Sequence, residues 1–143
     1  MPGAPSSQWV LVQRATENVF NVIVAPSGPY TDMDISVRFK PMAGREDASG
    51  GIVFRFAEGQ YSIGRANALE NTFRLYAYEH GRSQLATARV QPPALGQWHA
   101  IWVVAVGEHI QASQWRTPSG ASGCALWRRP SRPVDESRRH DGL

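Results

Sequence analysis

The segment Tyr61–Gly81, "YSIGRANALENTFRLYAYEHG", decides how this chain is read. Its two arms alternate between apolar and polar residues, the period of a β-strand. Tyr61, Ile63 and Arg65 share a face of the first arm; Arg74, Tyr76 and Tyr78 share a face of the second. Between them "NALEN" packs Asn67, Glu70 and Asn71 into a short connection. One helical turn would fit there, with Asn67 as N-cap, Glu70 reaching back as in a capping box, and Asn71 at a left-handed exit. Arg65 and Arg74 would then flank Glu70 as a small ion-pair network.

Working outward, the same period recurs. "WVLVQ" (9–13) and "VFNVIVA" (19–25) are short, β-branched and read as strands. "DISVRFK" (34–40) sets Ile35, Val37 and Phe39 on one face and Ser36, Arg38 and Lys40 on the other. "AGREDASGG" (43–51) reads as a loop, followed by the strand "IVFRF" (52–56) and the short connection "AEGQ". If Ile52, Phe54 and Phe56 point inward, Arg55 points outward. After the tight turn at Gly81 come "SQLATARV" (83–90), a rigid "QPPALGQ" loop, and "WHAIWVVAV" (98–106), the most apolar strand. A two-residue turn, "GE", leads into "HIQAS" (109–113). No long stretch has a helical period. The expectation is an all-β fold, an antiparallel two-sheet sandwich whose facing layers share one core containing Phe54 and Trp102.

Residues 114–143 lose the alternation and are rich in Arg, Ser, Pro and Gly. The chain therefore divides into a sandwich domain, 1–113, and an irregular tail, 114–143. The tail reads as a segment foreign to the fold or as a disordered basic extension, because it offers little apolar surface to offset its ordering entropy.

Composition narrows the function. With 143 residues the chain suits one domain able to bury its own core. The net charge of +3 arises after residue 114; residues 1–114 carry nine basic and nine acidic side chains. That balance argues against a nucleic-acid partner for the body of the chain. No apolar run is long enough to span a bilayer, and the opening "MPGAPSSQWVLVQ" does not read as a secretory signal. The one cysteine, Cys124, excludes an internal disulfide, and His80, His99, His109 and His140 show no zinc-site spacing. His99, at a strand start, reads as a packed or edge histidine.

The stretches "GGIVFRF", "YSIGRANALENTFRLYAYEHGRSQLATARV" and "GQWHAIWVVAVGEHIQAS" resemble the concanavalin A-like lectin/glucanase superfamily. More narrowly, they resemble laminin-G-like jelly-roll domains of the family-16-glycoside-hydrolase-like or 3-keto-disaccharide-hydrolase-like type. The resemblance covers roughly residues 9–113, and "RANALEN" followed by "RLY" is its most specific part. It implies an antiparallel jelly roll, a sugar-related role and an extracytoplasmic location. The chain departs from the pattern at both ends, as if the first and last strands were lacking; Gly123–Trp127 only echoes the closing strand. Missing outer strands would leave exposed sheet edges and favour self-association.

The resemblance also supplies a catalytic pattern, Glu-x-Asp-x-x-Glu on one strand, which is absent here. A glycosidase needs two carboxyl groups at a defined separation. Asp32 and Asp34 share a face but have no third acid downstream, so they read as strand-starting residues, and no catalytic residue is expected. Nor is a metal or cofactor; calcium, through Asp32, Asp34 and Glu70, is a minor alternative. The leading expectation is a non-catalytic carbohydrate-binding module. Arg55, Tyr61, Arg65, Asn67, Glu70, Asn71, Arg74 and Tyr76 are its candidate contacts, since arginine forks and amides bond hydroxyls and tyrosine rings lie against sugar C–H faces. The alternatives are a sugar-processing hydrolase and a truncated, non-functional chain.

Overall fold

The computed structural model describes residues 9–15, 19–116 and 121–128. Among these there is no helix. Eight strands are formed: β1 Met33–Phe39, β2 Ser49–Ala57, β3 Gln60–Asn67, β4 Thr72–Tyr78, β5 Arg82–Arg89, β6 His99–Val106, β7 His109–Arg116 and β8 Ala121–Arg128. They make two four-stranded antiparallel sheets. The first has the order β1-β6-β7-β8 and the second β2-β3-β4-β5. The sheets face each other, so the fold is the expected all-β sandwich.

The period-two pattern builds the core directly. Ile52, Phe54, Ala66, Phe73 and Leu75 of the second sheet are buried against Ile101, Val103, Ala105, Ile110 and Ala112 of the first. At full burial each large side chain among them contributes about 1.5–3 kcal/mol. The layers approach closely where no side chain intervenes. A Cβ on Gly50 would sit 2.3 Å from the Phe39 ring, so only glycine lets that ring close the β1–β2 side. The hairpin turns follow their sequence signals. Glu58 and Gly59 both have positive φ (49° and 81°), as a primed two-residue turn requires, and Gly107 opens the β6–β7 turn at φ 54°.

Several expectations are corrected. Residues 9–13 and 19–25 are not strands. Trp9, Leu11 and Ile23 are more than two-thirds exposed, and the Gln13 and Asn21 amides donate to nearby backbone carbonyls. Alternation supplies a face but no partner edge, and without cross-strand bonds there is no ladder. Trp102 does not share the core with Phe54. Ile101 and Val103 take the inward positions, so Trp102 points outward, where its indole N–H donates to Asp34 Oδ1.

Sheet pairing also does not stop at Ser113. β7 runs on to Arg116, and β8 pairs with β7 from His109↔Arg128 to Trp115↔Ala121. Trp127 packs against the core. Backbone groups pair whatever the side chain, so the small residues of "ASGCALWR" suffice for a strand flanked by a neighbour. Residues 129–143 of the expected tail lie outside the described residues, as does His140.

Candidate functional site

The β3–β4 hairpin has the pairing that its two arms imply. Tyr61 stands opposite Tyr78, Ile63 opposite Tyr76, and Arg65 opposite Arg74. Paired residues of an antiparallel ladder share a face. These six therefore lie on the outer side of the second sheet, opposite in parity to the buried Ala66, Phe73 and Leu75.

The polar end of this face is tied to neighbouring loops. Arg65 is 8% exposed. Its Nη2 donates to Asp47 Oδ2 at 2.6 Å and its Nε to Ser49 Oγ at 2.7 Å. Asn67 is 2% exposed. Its Oδ1 accepts from the backbone of Ala48 at 3.1 Å and of Leu69 at 3.0 Å, so one side chain fastens two loops. The connection is a tight turn rather than a helical one, with Glu70 N donating to Asn67 O at 3.2 Å. Glu70 does not reach back to Asn67. Its carboxylate accepts from Thr72 Oγ1 and lies 3.4 Å from Arg74 Nη1. Among described non-glycine residues only Arg55 and Glu58 have positive φ, so Asn71 makes no left-handed exit. Asn71 is exposed, and its carbonyl accepts from Val90 N. Of the expected network, Arg74 pairs with Glu70, while Arg65 pairs with Asp47.

Tyr76 lies between two arginines. Arg74 Nη1 donates to its hydroxyl at 3.2 Å, and Arg82 Cζ sits 5.1 Å from its ring centroid. The bond to Tyr76 raises the Arg74 guanidinium above its ordinary value, against the lowering effect of burial, with a smaller electrostatic push from Tyr76 and Glu70. At only 4% exposure, Tyr76 offers little open ring.

The other end of the face is aromatic. Tyr61 and Tyr78 stack at 4.7 Å and 17°, and Phe56 stacks on Tyr61 at 5.8 Å and 20°. Phe20 meets Tyr78 edge-on at 6.2 Å. The 4.7 Å separation matches the spacing of adjacent strands, so the tyrosines stand upright side by side and direct their edges away from the sheet. Burial, and secondarily Tyr78, pushes the Tyr61 phenol above its usual value.

Phe56 is a correction with a clear cause. A register shift between Phe54 and Ala57, with Arg55 at φ 53°, inserts a bulge that reverses the alternation. Phe56 thereby leaves the inward series of Ile52 and Phe54 and joins Tyr61 outside. Arg55 turns to the strand end, donating from Nε to Thr31 O at 3.0 Å and from Nη2 to Gly107 O at 2.5 Å. It bridges the two sheets instead of lying with Arg65 and Arg74. The sequence reading missed Phe56, Phe20 and Arg82. Arg82 was within reach, since a three-residue turn sets it opposite Tyr78; the bulge had no sequence signal.

The acids do not gather. Asp32 Oδ1 accepts from Gly107 N and Asp34 from Trp102, both at the β1 side of the first sheet, whereas Glu70 is at the β3–β4 turn. Among the described residues no three acids, histidines or cysteines are placed to hold a metal ion. His99 is buried at 2% exposure, with Nε2 3.2 Å from Ala94 O and its ring beside Phe39. No helix among the described residues is long and apolar enough to cross a membrane.

No family model matches the chain, and no curated protein matches it. Among solved structures it is similar to the carbohydrate-binding module CBM66 from Bacillus subtilis. The TM-score is 0.54 at 14% identity, over 69% of each chain. That likeness is one of fold, a β-sandwich.

Proposed function

We propose that this protein is a carbohydrate-binding β-sandwich module, without catalysis by this chain alone, whose ligand face is the outer side of the second sheet. The observation that carries the reading is the strip of Phe56, Tyr61 and Tyr78 standing beside Arg74, Tyr76 and Arg82 on that face. A polyhydroxylated ring presents apolar C–H patches and a rim of hydroxyls. Phe56 and the tyrosine edges meet the first; the phenol hydroxyls and the forks of Arg74 and Arg82 meet the second. Glu70 and Asn71 extend the polar contacts at the turn. Arg55, Arg65 and Asn67 support the site through the loops they hold. The name of the structural neighbour, a carbohydrate-binding module, agrees with this reading. The "RANALEN" and "RLY" segments favour the finer kinship with laminin-G-like, concanavalin A-like domains.

A glycan array tests the proposal. Binding by the wild type, weakened about tenfold or more by Tyr61→Ala and by Arg82→Ala with the fold intact by circular dichroism, is the expected result. Failure to retain any glycan, or equal retention by both variants, overturns it. Turnover of glycosides or 3-keto-glycosides that is lost in Glu70→Gln would establish the hydrolase instead.

A further inference from the structure

We infer that β1 is a self-complementary edge that joins two copies of this chain into a two-fold dimer with one continuous sheet. Among the described residues the sandwich has four edge strands, β1, β8, β2 and β5. An edge exposes unpaired N–H and C=O groups, and proteins usually blunt it with a bulge or with inward charges. Three of the four pair with their neighbour through a register irregularity. β1 does not: its seven residues pair with β6 without a break, from Met33↔Ala105 to Phe39↔His99. Its inward-facing Ile35 and Val37 are apolar, yet they remain 40% and 37% exposed. This straight edge has a half-covered core row.

The sequence of β1 specifies its occupant. Two copies of "MDISVRF" laid antiparallel and centred on Ser36 pair all seven residues with one another. Ile35 then faces Val37 of the partner on the core side, covering the half-exposed row. On the outer side Asp34 faces Arg38 of the partner, and by symmetry Arg38 faces Asp34. One residue beyond the strand at each end, the same register sets Asp32 opposite Lys40 of the partner. Every charge on the strand thus meets its opposite. Opposite charges directly across a ladder are favourable and like charges unfavourable. Face matching forbids a slip by one residue, because that would turn the apolar row outward. Such an isologous two-fold contact is the commonest kind among homodimers.

Sedimentation velocity over a concentration series tests this, using the full chain. The wild type is expected to dimerise reversibly, more weakly at high salt. Arg38→Glu, which sets acid against acid, and Asp34→Arg, which sets base against base, should each weaken association about tenfold. Mixing these two variants should restore the dimer, since their unlike charges then match at both positions. Circular dichroism checks that each variant is folded. Ser36→Lys, which sets two lysines face to face at the centre of the register and outside the charge pairs, should likewise weaken association while the chain stays folded. A wild type that stays monomeric at its highest soluble concentration overturns the inference. So does a dimer indifferent to the two charge reversals, or a mixture no more associated than its components.

Discussion

The two ends of the β3–β4 hairpin are built from the same ladder and used in opposite ways. At the turn end, Arg65 and Asn67 turn their polar atoms to neighbouring loops, onto Asp47, Ser49 and the backbone of Ala48 and Leu69. At the other end, Tyr61 and Tyr78 pack ring to ring and leave their edges outward. A cluster of hydrogen-bonding residues is therefore not by itself a ligand surface. Once a buried guanidinium and a buried amide have found loop partners, their task is to define those loops. The surface left for recognition is where the side chains satisfy one another by stacking and keep their polar tips for something else.

The largest expected effect lies at the turn end. Arg65→Met keeps much of the apolar stem but leaves Asp47 and Ser49 without the guanidinium. With Arg65 nearly buried and Asp47 about one-third exposed, the loss should be about 2 kcal/mol, below that of a fully buried pair. A urea titration would read it as a lower midpoint at unchanged slope. A shift within error would mean that these ties do not hold the loop, and the contrast between the two ends would collapse.

At the aromatic end the expected effect depends on pH. The Tyr61 phenol is raised above its ordinary value of 10.0 by burial first and by Tyr78 second, so the fold favours its neutral form. The stability tied to that group is fully present below the unfolded value and is lost as pH rises through the higher folded value. Melting temperature should therefore fall more steeply above pH 10 in the wild type than in Tyr61→Phe, which has no proton to lose there. Parallel curves would show that the stack does not desolvate the phenol, and the aromatic end would then be as open as a flat platform.

Much of this contrast was legible in the sequence, and the misses are instructive. Period two gave the faces of β3 and β4 correctly, so Tyr61, Arg65, Arg74 and Tyr76 do share a side. It failed at Phe56 because a bulge is set by backbone geometry, here at Arg55, and changes the parity of everything after it. It also failed for residues 19–25, which are as β-branched as a buried strand. A strand needs a neighbour as well as a face, and one segment's own residues do not say whether a neighbour exists. The reverse error was made with β8, where a poor pattern is carried by a strong partner, β7. Partners, unlike periods, are non-local.

The smallest expected effect separates the two ends most finely. Glu70 and Arg74 form an i,i+4 pair at 3.4 Å, each side chain about one-third exposed, at the border between the polar ties and the tyrosines. Exposed pairs contribute about 0.5 kcal/mol or less, because water screens them and two long side chains must be held still. Glu70→Gln keeps an acceptor for Thr72 Oγ1 and removes only the charge, so the unfolding midpoint should shift by no more than that amount. The guanidinium keeps its bond to the Tyr76 hydroxyl, which is the main cause of its raised value. Near-neutral behaviour would place Arg74 with the aromatic end, held by Tyr76 and available to a ligand. A loss comparable to that of Arg65→Met would place it with the structural ties instead, and would move the border of the binding face past Arg74 to Tyr76 and Arg82.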